Sequence, residues 1–226
     1  MADKKLLKVL VIHGYRQSAK LSREKTGSLR KGLKKYLDLV YITAPNKIPP
    51  IIPEEHQDGG GEVKEPEEQY GWWFSNKKEN GDNAFSAQEN SQVEYGHQES
   101  IDLVEKVLEE QGPFDGILAF SQGATFAAHI CALREKPDSK IKFNFAILCA
   151  GFKSRSTQHE IYYQDQITCP TLHVYGDTDK VIPKEMSIDL QTIFTNSTVL
   201  NHSGGHYLPA TSAERKVYQS FLDQFR

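Results

Sequence analysis

Short apolar runs recur along the chain, each closed by small or polar residues. Leu6 to Ile12 is apolar except for Lys8, Leu39 to Thr43 closes at Ala44-Pro45, and Ile117 to Phe120 stops at Ser121. Phe143 to Cys149, Pro170 to Tyr175 and Ser197 to Leu200 follow the same pattern. Runs this short and this continuous are what strands covered on both faces require. Between them lie segments of helical period. Ser22 to Tyr36 sets Leu29, Leu33, Tyr36 and Leu37 near one face and basic residues on the other. Ser91-x-x-Glu94 reads as a capping box opening an amphipathic helix to about Gln111, where Gly112-Pro113 stops it. Further helices are expected from Ser121 to about Lys136, from Lys184 to Thr195 and from Ser212 to Phe225. This alternation predicts an α/β fold with a mostly parallel sheet of about six strands and helices on both faces.

One stretch breaks the rhythm. From about residue 45 to 90 the chain holds Pro49, Pro50, Pro53 and Pro66, the run Gly59-Gly60-Gly61 and then Tyr70-Gly-Trp-Trp-Phe74. So long a segment without either period is expected to be a functional loop or lid, with the glycine run as a flexible excursion. No Lys-Ser/Thr follows the glycines, so they make no phosphate loop.

Composition narrows the class. The 226 residues suit a single domain spanning 1–226, large enough to bury a sheet between helices. With 27 basic against 30 acidic side chains, nothing suggests nucleic acid or an anionic membrane surface. Cys131, Cys149 and Cys169 are widely spaced and sit in or beside apolar segments, which suits reduced core thiols. No cysteines or histidines show metal-ligand spacing, so neither metal nor cofactor is expected. The N-terminal apolar run lacks a cleavage site, and no segment reaches the ~18 apolar residues of a membrane span. A soluble, cytoplasmic protein without stable membrane insertion is the expectation.

The candidate chemistry lies where the strands end, the edge at which parallel sheets gather their sites. Ala119-Phe-Ser-Gln-Gly123 approximates the Gly-x-Ser-x-Gly nucleophile elbow, with alanine at the first small position. A serine hydroxyl holds its proton tightly, so it needs an imidazole to take that proton and a carboxylate to orient the imidazole. The order serine, acid, histidine is met by Ser121, an aspartate of Gly176-Asp-Thr-Asp179, and His206 in Gly204-Gly-His206. Of Asp177 and Asp179, the latter lies deeper in its loop and is the expected orienter, leaving Asp177 to cap the turn. His202 is expected to be structural, and His13 to brace the loop after the first strand. The oxyanion donors are expected to be the N–H groups of Gln122 and Tyr15. Trp72, Trp73 and Phe74 admit two readings: packing in the core, or roofing an apolar acyl pocket.

With these residues in place the sequence resembles the family of serine hydrolases (FSH), and within it the ovarian-cancer-associated esterase branch. The resemblance covers most of the chain. It rests on His13-Gly-Tyr-Arg-Gln-Ser18 with Ser22-Arg-Glu-Lys-Thr-Gly27, on Tyr70-Gly-Trp-Trp-Phe74 and on Gly112-Pro-Phe-Asp-Gly-Ile-Leu-Ala-Phe-Ser-Gln-Gly123. It continues in Gly176-Asp-Thr-Asp-Lys-Val-Ile-Pro183 and Gly204-Gly-His-Tyr-Leu-Pro209. It implies an α/β-hydrolase three-layer core without a separate cap domain and a triad of Ser121, Asp179 and His206. It also implies hydrolysis of carboxylic esters with a leaning to long acyl chains, so the expected partner is a small-molecule ester with an apolar acyl or alkyl chain. Two other functions stay open: an acyl-protein thioesterase-like or peptidase-like hydrolase, and a ligand-binding protein on a hydrolase fold.

Overall fold

The computed structural model describes residues 5–49, 67–77 and 82–226. Strands β1 (Leu7–Ile12), β2 (Leu37–Ile42), β7 (Gly116–Phe120), β8 (Phe145–Cys149), β9 (Thr171–Gly176) and β10 (Ser197–His202) form one sheet. Their order is β10-β9-β8-β7-β1-β2. Every neighbouring pair is parallel. The six apolar runs thus become the six strands, with ends displaced by one or two residues. The α/β-hydrolase fold is realised.

The helices that cover the sheet are α1 (Ala19–Lys25), α2 (Gly27–Gly32), α3 (His97–Gln111), α4 (Gln122–Arg134), α5 (Lys184–Gln191) and α6 (Ser212–Leu222). Two apolar layers result. One holds Leu10, Ile12, Ile117, Ala146 and Leu148 against α3 and α4; the other holds Val9, Val11, Leu118, Ile147 and Val174 against α6 and Leu29. Successive strand residues enter opposite layers, as the pleat demands. Helix α4 is buried at every position from Gln122 to Cys131, so its small residues lie flush against the sheet. No described helix is long and apolar enough to cross a membrane.

Two helix expectations change. The helix foreseen over Ser22 to Tyr36 is instead the pair α1 and α2, broken at Thr26. The Thr26 hydroxyl donates to Ser22 O at 2.7 Å, closing the first helix on itself before Gly27 starts the next. The capping box at Ser91 and Glu94 also fails as the start of α3. Ser91 Oγ donates instead to Ser75 O at 2.5 Å, and the cap is Gly96 at φ 79°. A Cβ there would sit 2.4 Å from Asn46 Oδ1, because Asn46 Nδ2 reaches in to donate to Gly96 O at 2.9 Å. Only glycine combines that left-handed turn with that approach. Glu94 keeps half of the foreseen role, accepting from His97 N at 3.2 Å.

The described parts of the 45–90 stretch are more ordered than expected. Strand β3 (Asn46–Ile48) pairs antiparallel with β4 (Gln69–Gly71), and β5 (Asn76–Lys77) with β6 (Asn83–Ala84). The Gly59-Gly60-Gly61 run lies outside the described residues.

Candidate active site

Strand β7 runs into α4 through one residue, Ser121, which adopts φ 54° and ψ −122°. A non-glycine residue held there carries strain of about 1–3 kcal/mol, which packing on both sides must maintain. Ser121 N donates to Cys149 O at 2.8 Å, anchoring the corner to β8. Gly123 then passes under the end of β1: a Cβ on it would meet His13 O at 2.2 Å and Ile12 O at 2.7 Å. Ala119 faces no such demand. It pairs with Ile12 and Leu148 inside the sheet and is buried there, so alanine serves at the elbow's first small position.

The loops after β9 and β10 bring two more groups to this corner. Asp179 Oδ1 accepts from Val181 N and Ile182 N, both at 2.9 Å. Its Oδ2 lies 2.7 Å from His206 Nδ1, and His206 Nε2 lies 3.0 Å from Ser121 Oγ. An ionised carboxylate can only accept, so the proton on Nδ1 belongs to the ring and Nε2 turns its lone pair to the serine. The Asp179 side chain is 1% exposed and that of His206 19%. Phe120 packs on the imidazole with centroids 4.7 Å apart. Asp177 stands apart: it pairs with Lys184 at 2.8 Å and accepts from Asn201 at 3.2 Å. The Lys184 hydrogen bond holds its carboxyl below the usual carboxylate range. His202 shapes the last loop, accepting from Gly204 N through Nδ1 at 3.2 Å.

The loop after β1 is braced from three sides. His13 Nε2 accepts from Ala44 N at 3.0 Å, so Nδ1 carries the proton and donates to Gly14 O at 2.7 Å. Burial pushes this imidazole down to about 4, so it stays neutral. Trp72 Nε1 donates to His13 O at 2.7 Å. Beyond it the Tyr15 N–H has no hydrogen-bond partner among the described residues, and neither has the Gln122 N–H at the start of α4.

A cavity of about 1030 Å³ opens over Ser121 and His206. Tyr15, Phe85, Phe120, Val181, Ile182 and Leu208 supply its apolar wall. Of these, only Tyr15 was singled out from sequence, and then for its backbone. The others follow the strand ends and the irregular segment, where no periodicity marks a lining role. Trp72, Trp73 and Phe74 are absent from this wall, which corrects their reading as its roof. Trp72 and Trp73 are 0% exposed. Trp72 stacks on Phe126 at 5.0 Å, and the Gln122 side chain clamps the pair, accepting from Trp72 N at 2.9 Å and donating to Trp73 O at 2.8 Å. They fix the shape beneath the site rather than meeting its contents.

A second constellation was not legible in the sequence. His97, His129 and His159 meet in the interior, one ring nitrogen of each within 4.8 Å of the others. Their separations of about thirty residues match no ligand motif.

A family model described as "Serine hydrolase (FSH1)" matches residues 1–218. Esterase OVCA2 of Xenopus tropicalis is 47% identical over 99% of this chain and 95% of its own length. Esterase OVCA2 of Homo sapiens is 42% identical over 100% of this chain and 99% of its own. Among solved structures, Arabidopsis thaliana SOBER1 superposes with a TM-score of 0.60, covering 97% of this chain and 99% of its own at 12% identity. Zea mays acyl-protein thioesterase 2 superposes at 0.58, covering 98% of this chain and 96% of its own at 16% identity. Identities this low carry the fold alone, whereas the family match runs through every segment that builds the Ser121 corner. The chain therefore belongs to the FSH1 family of serine hydrolases, whose curated relatives are esterases.

Proposed function

We propose that the protein is a serine carboxylesterase acting on esters with an apolar acyl chain. The observation that carries this reading is the hydrogen-bonded line Asp179–His206–Ser121 at the floor of a cavity with an apolar side made by Phe85, Val181, Ile182 and Leu208, facing polar residues such as Gln17, Lys25 and Glu89. In the proposed reaction Ser121 Oγ attacks the ester carbonyl carbon while its proton passes to His206 Nε2. The N–H groups of Gln122 and Tyr15 face the oxygen that gains charge. The C–O bond to the alcohol breaks, and the alcohol leaves with the proton from His206. Water, deprotonated by the same ring, then cleaves the acyl-Ser121 ester and frees the acid and the enzyme. Asp179 keeps the ring in the tautomer that both proton transfers need.

The cavity supports an acyl chain because its volume sits at the upper end of the usual ligand range, about 300–1,000 Å³. Phe85, Val181, Ile182 and Leu208 offer a chain contact worth about 0.8 kcal/mol per buried methylene. The test is a series of p-nitrophenyl esters of rising acyl length, with thioesters and amides of matched acyl groups alongside. The expected result is kcat/KM rising with chain length for the esters and a fall on the order of 10⁴-fold in Ser121→Ala. A Ser121→Ala variant that retains the parent rate sinks the reading. Flat chain-length dependence removes only the acyl preference.

A further inference from the structure

We propose that His97, His129, His159 and Glu94 form a closed site for one divalent transition-metal ion of the zinc type. Three separate elements meet there. His97 opens α3, His129 lies midway along α4, and His159 sits in the 3₁₀ turn Thr157–Tyr163. All three rings are buried.

The observation that points to a ligand is His159 Nε2. It is fully buried and has no hydrogen-bond partner among the described residues. Glu94 Oε2 lies 3.4 Å from it, within ion-pair distance but too poorly aligned for a hydrogen bond, while Glu94 Oε1 is held by His97 N at 3.2 Å. The carboxylate is therefore held by the His97 N–H with its other oxygen beside His159, one rotation short of joining the three rings. An unpaired ring nitrogen in the interior costs stability that a core phenylalanine or leucine would not. A cation between the rings removes that cost.

The remaining ring nitrogens have the partners a metal site needs behind it. His159 Nδ1 meets Ser154 Oγ at 2.7 Å, and His129 Nε2 meets Tyr163 Oη at 2.7 Å. Tyr163 Oη also accepts from Ser154 N at 2.7 Å, tying the two supports together. His97 Nε2 and His129 Nδ1 now share a hydrogen bond at 2.9 Å. An ion would take its place, with the His129 proton moving to the nitrogen that faces Tyr163. Tetrahedral bonds of about 2.0–2.1 Å put donors about 3.4 Å apart, so ring nitrogens now within 4.8 Å of one another close by up to about 1.4 Å through side-chain rotation.

Three imidazoles with one carboxylate suit zinc, cobalt or nickel better than magnesium or calcium. Four protein donors leave no open position, the mark of a structural ion. The ion would join the start of α3, the middle of α4 and the 3₁₀ turn. Trp73 lies against all three rings and against Phe85 of the Ser121 cavity, so the joint supports the wall without touching the reacting atoms.

The test titrates chelator-stripped protein with Zn²⁺ by calorimetry and with Co²⁺ by visible absorption. We expect one ion per chain, intense tetrahedral Co²⁺ bands, and a Tm rise on the order of 5–10 °C at a hundredfold excess over Kd. His159→Gln should abolish binding while melting near the stripped parent. Glu94→Gln should weaken binding about tenfold. His206→Ala, which removes the exposed imidazole over the cavity, should leave binding intact. Only weak octahedral Co²⁺ bands in the parent, or full binding retained in His159→Gln, overturns the proposal, and the first reading needs no variant to fold.

Discussion

Histidine is used in two opposite ways in this molecule. His206 stands on a loop beyond the sheet, partly exposed, between a carboxylate and a hydroxyl. His129 is sealed inside α4, between another imidazole and a phenol. The ring beside Asp179 has a carboxylate at one nitrogen and the Ser121 hydroxyl at the other, the arrangement that a proton relay needs. His129, among aromatics, is pushed well below its ordinary value because burial opposes the charge. The same side chain is therefore placed to relay a proton at one site and held neutral in a hydrogen-bonded core at the other.

The comparison is most easily broken at the carboxylates. Asp179→Asn should lower kcat by about 10³–10⁴-fold, because the amide can donate to Nδ1 and impose the wrong tautomer. Asp177→Asn should stay within about twofold of the parent, since its partners are Lys184 and Asn201. Steady-state kinetics on one ester settle both; comparable losses in the two variants would mean that the acid is misassigned.

Acid titration of stability sharpens the contrast at lower magnitude. His173 is buried against Phe194 and pushed down to about 3, against about 6.5 in an unfolded chain. Below pH 6.5 the unfolded chain binds a proton that the native ring refuses. Stability present above pH 6.5 is therefore lost as the pH falls towards 3, by about 2 kcal/mol at pH 5 for this ring alone. His13, down to about 4, acts in the same direction. Denaturant melts from pH 7.5 to 4.5 should show a shallower loss in His173→Phe than in the parent; parallel slopes would refute the assignment.

The smallest effect is expected at Trp73. Its Nε1 is buried with no hydrogen-bond partner among the described residues, so Trp73→Phe deletes an unsatisfied donor along with some packing. The two changes oppose each other, leaving stability within about 1 kcal/mol. Because Trp73 does not line the cavity, kcat/KM should stay within about twofold for every acyl length. A chain-length shift in this variant would restore the tryptophan to the acyl site.

Much of the Ser121 corner was legible because each part is local in sequence. Ser121 and Gln122 sit on one strand-to-helix turn, Asp179 follows β9, and His206 follows β10. A parallel sheet places all such exits on one edge, so reading the strands was enough to predict that they meet. The cavity wall was less legible. Phe85 and Leu208 lie in segments with no period, and nothing local says which way they face. The aromatic cluster misled for a related reason: it lies in an irregular stretch, yet hydrogen bonds from Gln122 and contact with Phe126 draw Trp72 and Trp73 into the core.

Apolar periodicity and loop chemistry act over a few residues, so the six strands, their alternation with helices, and the chain order of Ser121, Asp179 and His206 could be read locally. Where α3 begins could not, because Asn46 reaches Gly96 from fifty residues away. The tertiary structure alone brought His97, His129 and His159 together. Their meeting depends on how α3, α4 and the 3₁₀ turn pack, and packing over such distances leaves no spacing in the chain to read.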